Sequence, residues 1–449
     1  MRVFLSLLAV FCHLACSDCC AQGSKKETSR LLTLEEALPL ALDHNRKVIN
    51  ARLEVEKTEQ QVAAARKRYL PVFDVKFTES YLLTDSLYKF QPGVFGTYPG
   101  IGPIPTTETK IASLNLWEPL LIASVGQPLT DLYRIHMGVQ SLNIENEIAT
   151  EKLRAQRTAV VSEVKRVYYS LAQTQGALSV ASELILSLKE LERVVTDQVA
   201  QRAALDADLL EVKARLAKTE YDVFALRNTL KSGKQQLNNL LGRDLQVDFT
   251  VATAVETVGE NIDDQAAVVR ALENRVELKE SKLRQQQAEY DIKAKKSEYI
   301  PHVNLVFNYL TPFNNDFMPT NVATVGLQVN WDVFDWGLKR NELAAKNRTL
   351  EQARQAIREA EALITMDVQN RLYKLQEAQL LTKATLIAKE SAQEKLRVAM
   401  DRHRQKAALL QEVLQAQSML ADANHQHQNA MLAFLTAKAE FEQATGEGP

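Results

Sequence analysis

Tyr299-Ile300-Pro301-His302-Val303-Asn304-Leu305-Val306-Phe307-Asn308-Tyr309 is where the chain changes its period. After Pro301, Val303, Leu305, Phe307 and Tyr309 alternate with His302, Asn304 and Asn308, the two-residue rhythm of a half-buried strand. The same switch stands 230 residues earlier, where Tyr69-Leu70-Pro71 precedes Phe73, Val75 and Phe77 alternating with Asp74, Lys76 and Thr78. Proline lacks the amide hydrogen a helix interior needs, so Pro71 closes one element and opens another.

Working outward, the chain reads as one unit written twice. At an offset of 230, Ala41-Leu42 aligns with Ala271-Leu272, Glu59 with Glu289, Tyr69 with Tyr299 and Phe77 with Phe307. Further on the offset becomes 204, pairing Asp131 with Asp335, Tyr169 with Tyr373, Leu210 with Leu414 and Gly242 with Gly446. The 26-residue difference falls on Gln91-Pro92-Gly93-Val94-Phe95-Gly96-Thr97-Tyr98-Pro99-Gly100-Ile101-Gly102-Pro103, which predicts a loop. The expected organisation is a signal peptide at 1–21, a first repeat at 22–242, a linker at 243–263 and a second repeat at 264–449. Each repeat holds helix, β-hairpin, long helix and helix, with the hairpins at about 72–128 and 302–333.

The segment from Leu34 to Tyr69 is predicted to be one helix, with Thr33 and Glu36 forming a capping box. After the turn around Thr311 to Pro319, Ala323, Val325, Leu327, Val329 and Trp331 predict the return strand. In the first copy, Pro119 is expected to bend or end the second strand, because proline removes a ladder donor. No proline occurs between Pro128 and Pro301 or between Pro319 and Pro449, which permits very long helices. Asp131 to Ala203 would span about 108 Å at 1.5 Å per residue. Leu184, Leu188, Leu191 and Val195, and then Val223, Leu226, Leu230, Leu237 and Leu240, step at coiled-coil spacing.

Composition excludes several functions. Lys and Arg number 54 against 56 Asp and Glu, a net charge of -2, so there is no electrostatic footprint for nucleic acid. All four cysteines, Cys12, Cys16, Cys19 and Cys20, lie in the segment read as a secretory signal, with Arg2 as its charged start and Val3 to Leu14 as its apolar run. Cleavage after Ala21 leaves a mature chain without thiols. Lipid attachment at Cys16 is the competing reading, although His13 stands where a lipobox usually has leucine. Downstream, no apolar run approaches the ~20 residues of a spanning helix. His425 and His427 point about 200° apart on a helix, which predicts no metal site there. No phosphate-binding loop and no nucleophilic constellation is present, so neither an enzyme nor a cofactor is expected.

Of the aromatic residues, 18 of 29 lie between Tyr69 and Tyr133 or between Tyr299 and Trp336, including Trp117, Trp331 and Trp336. Aromatic belts on alternating strands characterise transmembrane barrels. Two hairpins give only four strands, and an open edge cannot face lipid. Three chains would supply twelve.

The ordered set of Leu32-Thr33-Leu34-Glu35-Glu36-Ala37-Leu38, the Tyr-Leu-Pro and Tyr-Ile-Pro junctions, Leu240-Leu241-Gly242, and Trp331-Asp332-Val333-Phe334-Asp335-Trp336-Gly337 resembles the TolC-type outer-membrane efflux proteins over nearly the whole mature chain. The resemblance implies a homotrimer, mainly helical, with a 12-stranded outer-membrane barrel above a periplasmic helical tube. It also implies a passive duct of a tripartite efflux or type I secretion system, working with a periplasmic adaptor (membrane fusion) protein and an inner-membrane pump. By the same resemblance, Glu412 and Gln415 fall where the family places its constricting acidic ring, with Asp208 and Glu211 as their repeat partners. Three converging Glu412 side chains would attract cations; the alternative is ordinary solvated carboxylates. Arg202 and Lys406, at the helical tips, are candidate adaptor contacts, and Trp117, Tyr309, Trp331 and Trp336 are candidate membrane-interface aromatics facing outer-membrane lipid. The rival reading is a periplasmic coiled-coil adaptor or scaffold with soluble hairpins.

Overall fold

The computed structural model describes residues 30–83, 86–113, 117–202, 205–252, 263–314, 319–405, 407 and 409–446. The expected signal peptide lies outside them. In chain order the elements are β1 (Arg30–Leu32), α1 (Leu34–His44), α2 (Arg46–Lys67), β2 (Val72–Tyr81), β3 (Ser86–Phe90), β4 (Thr97–Tyr98), β5 (Gly102–Pro103), β6 (Thr109–Ser113) and β7 (Trp117–Pro128). Then come α3 (Asp131–Ala200), α4 (Asp206–Leu240), β8 (Phe249–Val251), α5 (Asp264–Asn274), α6 (Val276–Ser297), β9 (His302–Pro312), β10 (Val322–Asn330), α7 (Leu338–Arg404) and α8 (Leu410–Ala444). Helix lengths recur: α1 and α5 have 11 residues each, α2 and α6 22, α4 and α8 35. α3 and α7 have 70 and 67. The strand register repeats too. His302 pairs with Asn330, and subtracting the two offsets gives Val72 with Gly126, the pair observed in the first hairpin.

Three expectations need correction. The first helix is not continuous: Asn45 is extended (φ -66, ψ 126), and its side chain accepts the Lys47 N–H, so it ends α1 and caps α2. Apolar spacing persists through the break, which hid it; asparagine at a cap satisfies an otherwise orphaned amide. Arg275 interrupts α5 and α6 at the equivalent place, with φ -62 and ψ 129. Second, the Gln91 to Pro103 tract is more than a loop. β3 pairs antiparallel with β6, and β4 with β5, making a ribbon. Gly96, at φ +101, turns it where a side chain would crowd the Tyr98 ring at 3.2 Å. Third, β7 runs through Pro119 without ending. The Pro119 carbonyl accepts Phe313 N–H at 2.8 Å, so its missing donor faces β9 just where that ladder stops at Leu120 and Pro312. A proline at a ladder's end costs one bond rather than an interior pair.

The described residues form two compact units, one within 1–41 and 164–256 and the other within 42–163 and 257–449. In the first, β1 and β8 pair in parallel. The buried Tyr168 hydroxyl donates to Leu32 O at 3.0 Å and accepts Ala252 N–H at 3.1 Å, tying the strands to α3. Buried Asn238 donates its amide to Leu245 O and Val247 O and accepts from Arg243 Nε, holding the turn after α4. Leu188, Val195, Val223 and Leu237 are buried at the predicted seam, and Lys189 reaches Glu220 at 3.6 Å between α3 and α4. Each apolar side chain so enclosed contributes about 1.5–3 kcal/mol.

In the second unit α7 packs along α8. Ile364, Val368, Leu372, Phe434, Leu435 and Phe441 are buried, and the Thr382 hydroxyl, itself enclosed, contacts both Ala378 O and Ala430 O. The β-strands of this unit include one four-stranded antiparallel sheet, ordered β10-β9-β7-β2.

Candidate functional site

The sheet is built so that its two faces differ. Residues in register share a face, and one row crosses all four strands as Phe73, Val125, Phe307 and Val325. Its neighbours Val75 and Phe77, and Leu305, Leu327, Val303 and Val329, continue the same face. The adjacent row, on the opposite face, is Asp74, Ser124, Asn308 and Thr324, and with Asn304 and Gln328 it lines a groove. The apolar face is bare: Phe73 is 76% and Val325 73% exposed. A contiguous exposed apolar surface of this kind marks contact with lipid or protein. The sheet is also open, since among the described residues neither β2 nor β10 has a partner on its outer edge.

The four candidate interface aromatics fall at the two ends of this sheet. Trp117 opens β7 opposite Tyr81, and its indole N–H donates to Glu79 at 2.8 Å. Tyr309 donates its hydroxyl to Asn321 at 2.6 Å. Trp331 follows the last residue of β10, at the helix end of the sheet. Trp336 adopts φ 55, a left-handed conformation rare for a bulky residue, and is 89% exposed with its ring edge-on to Phe334 at 4.8 Å. The neighbouring Asp335 carboxylate accepts the N–H groups of Gly337 and Lys339, both at 3.0 Å, fixing the start of α7. Those bonds, Lys339's first, hold its carboxyl below the usual carboxylate range.

At the far ends of the long helices the acidic candidates divide by local role. Asp208, in the first turn of α4, accepts the Leu205 N–H at 3.1 Å, so it caps its own helix. Glu211 pairs with Arg215 at 2.9 Å. Glu412 and Gln415 lie exposed in the first turns of α8, with no capping bond from the Leu409 side chain. Arg202 is exposed at φ 57 beyond α3, its N–H bonded to Val199 O. Lys406 lies outside the described residues. Among the described residues no group of three His, Cys, Asp or Glu side chains could hold a metal ion, and no helix is long and apolar enough to cross a membrane.

One centre had no sequence signal. Arg275, at the break between α5 and α6, forks onto Glu277 at 2.9 Å and reaches Asp367 on α7 at 2.9 Å and the Ala444 carbonyl of α8. Arg371 joins Asp367 to Glu440 in the same cavity. Burial opposes the charge of Arg275, but the Glu277 and Asp367 carboxylates hold its guanidinium above the ordinary arginine range. Its partners stand 92 and 169 residues away, beyond any local pattern.

A two-faced, unclosed sheet together with paired helices of this length defines the fold class, one shared with solved outer-membrane channels. The chain belongs to the outer membrane efflux protein family, whose model matches residues 37–243 and 267–447. Its fold is similar to that of the outer-membrane channel OprN, at 18% identity and a TM-score of 0.75, covering 92% of this chain and 90% of that one. The Campylobacter jejuni CmeC outer membrane channel matches at 15% identity and 0.74, covering 92% and 86%. The Neisseria gonorrhoeae MtrE outer membrane channel, in its open state, matches at 16% and 0.70, covering 92% and 88%. An uncharacterized Haemophilus influenzae protein is 22% identical over 223 residues, which are 46% of this chain and 48% of that relative, so the match spans about half its length. The protein is an outer-membrane protein of this efflux family and extends into the periplasm.

Proposed function

We propose that three copies close into a 12-stranded barrel continued by a tube of helices, and that the assembly is a passive duct in a tripartite efflux or type I secretion system. The observation that supports this most is the four-stranded sheet with a bare apolar face and two unpaired edges. Backbone groups at such edges cost several kcal/mol each in hydrocarbon, so neighbours must supply partners. Two tandem repeats, at 22–242 and 264–449 with a linker at 243–263, would give the ring six similar hairpins. Trp117 and Tyr309 would anchor one interface, and Trp331 and Trp336 the other.

In this reading the inner-membrane pump supplies energy and the periplasmic adaptor joins pump to duct, with Arg202 and Lys406 as contacts. Three exposed Glu412 side chains, with Gln415, would ring the narrow end, assisted by Asp208 and Glu211. The adaptor or scaffold reading lacks support from the family match. The test is fractionation followed by planar-bilayer recording of the detergent-purified protein. Outer-membrane partition, a trimer's mass and discrete conductance steps are expected; a trimer without conductance would defeat the duct. Glu412→Gln should lower cation preference at neutral pH and leave assembly intact.

A further inference from the structure

Within the chain, the seam between the two halves is the ladder of β7 with β9. By the offsets of 204 and 230, the counterparts of these strands are β10 and β2, the two strands left with open edges. The equivalence is structural as well as sequential, because the register of one hairpin maps onto that of the other. The internal seam is therefore a template for the missing one. We infer that β10 of one copy pairs antiparallel with β2 of the next copy in the register that sets Gln328 opposite Thr78. The turn from Val333 to Trp336 then seats on the stretch from Leu70 to Phe73 of that next copy. This rests on the trimeric ring proposed above and names its joint.

The residues agree with the register. Ser124 opposite Asn308 becomes Gln328 opposite Thr78, and Gly126 opposite Val306 becomes Asn330 opposite Lys76. On the apolar face, Val125 opposite Phe307 becomes Val329 opposite Phe77, and Gln127 opposite Leu305 becomes Trp331 opposite Val75. A slip of one residue would turn every apolar side chain of one strand to the wrong face. A slip of two is opposed by the joint with the helices. In the template, Leu129 N–H donates to Val303 O at 2.9 Å, which assigns Val333 N–H to Phe73 O.

The two joints differ in a way that accounts for the exposed turn. At the internal seam the Thr130 hydroxyl bridges Pro301 O and Val303 N–H, and Asp131 holds His302 at 2.6 Å. Their counterparts are Phe334 and Asp335, facing Pro71 and Val72. No imidazole waits for Asp335, and it caps α7 instead. A polar clasp inside the chain is replaced between chains by an apolar one, in which Val333, Phe334 and Trp336 meet Leu70, Val72 and Phe73, all of them exposed in the single chain.

The test is oxidative crosslinking in native outer membranes. Bonded pairs of the template include Leu129 with Val303 and Phe313 with Pro119, so Ser124 with Asn308, and hence Gln328 with Thr78, is a non-hydrogen-bonded pair. Such pairs have Cα atoms about 4.5 Å apart, within reach of a disulfide. The chain's own cysteines are confined to residues 12–20. Thr78→Cys with Gln328→Cys should shift the monomer band to reducible dimer and trimer. Lys76→Cys with Gln328→Cys, two residues out of register, should not. Ser124→Cys with Asn308→Cys should close within one chain and shows that oxidation reached the lumen face. Crosslinking of the Lys76 pair at the expense of the Thr78 pair, or none from the Thr78 pair in a trimer whose internal control closes, overturns the register and leaves the trimer standing. A wild-type monomer in mild detergent overturns the ring itself.

Discussion

Tyr168→Phe removes one oxygen from the first unit and nothing else. The ring, 1% exposed, keeps its packing, so the change isolates the hydroxyl that bridges Leu32 O and the Ala252 N–H. Each of those bonds is worth about 1 kcal/mol net, and leaving a buried carbonyl unpaired costs about 1–3 kcal/mol. Ala252 N–H retains a long contact to Leu32 O at 3.3 Å, which trims the loss. The expected destabilisation of the β1 and β8 pairing is about 2 kcal/mol, or roughly 30-fold more frequent local opening at 1.36 kcal/mol per decade. Amide hydrogen exchange at Leu32, Val251 and Ala252 reads that directly. Tyr221→Phe, at an exposed position of α4, is the control. Alkaline pH gives a second readout. Burial raises the Tyr168 phenol above its ordinary value despite the backbone bonds from Ala252 and Leu34. A raised folded pKa means that the stabilisation is fully present below about pH 10 and is lost as pH rises through the folded value. Protection should therefore fall on alkaline titration in the wild type and fall less in Tyr168→Phe. Unchanged exchange in the variant would refute the bridging role.

Other consequences are equally open to measurement. Arg275→Met should destabilise the second unit by about 1–3 kcal/mol; removing one partner of a buried pair costs about 3–5 kcal/mol, discounted here because Glu277 is exposed and Asp367 keeps Arg371. A double-mutant cycle with Asp367→Asn in thermal melts should show coupling, and simple additivity would argue against the pair. Gly446→Ala should cost about 1–3 kcal/mol, because φ is +74 and its Cβ would sit 2.8 Å from Asn274 Cβ; circular-dichroism melts check it. His427 is pushed below its usual pKa by burial and then by Lys389. Its contribution is present above the ordinary histidine value near 6.5 and is lost as pH falls through the lowered one. Acid melts should lose that slope in His427→Gln.

The order of elements was legible because each change of rhythm has a local cause: proline at 71, and alternation after 301. Applied to the hairpins, the two offsets carry the pair His302 and Asn330 onto Val72 and Gly126. The Asn45 break was not legible, since a cap residue can interrupt a helix without disturbing the apolar spacing on either side. β4 and β5 escaped because two-residue strands in a Pro/Gly tract have no alternation to read. Among the candidate site residues, Asp208 and Glu211 were identifiable as carboxylates, but only geometry reveals their bonds to Leu205 and Arg215. The Arg275 centre depends on contacts across three helices and had no local trace.

Among the described residues, the ribbon from Ser86 to Ser113 has no counterpart between β9 and β10. The trimeric ring proposed above would then alternate long and short fingers around one rim, a three-pronged crown. If that ring forms, an epitope tag placed at Gly100, in the turn between β4 and β5, should be read by antibody on intact cells without disturbing a transmembrane rung.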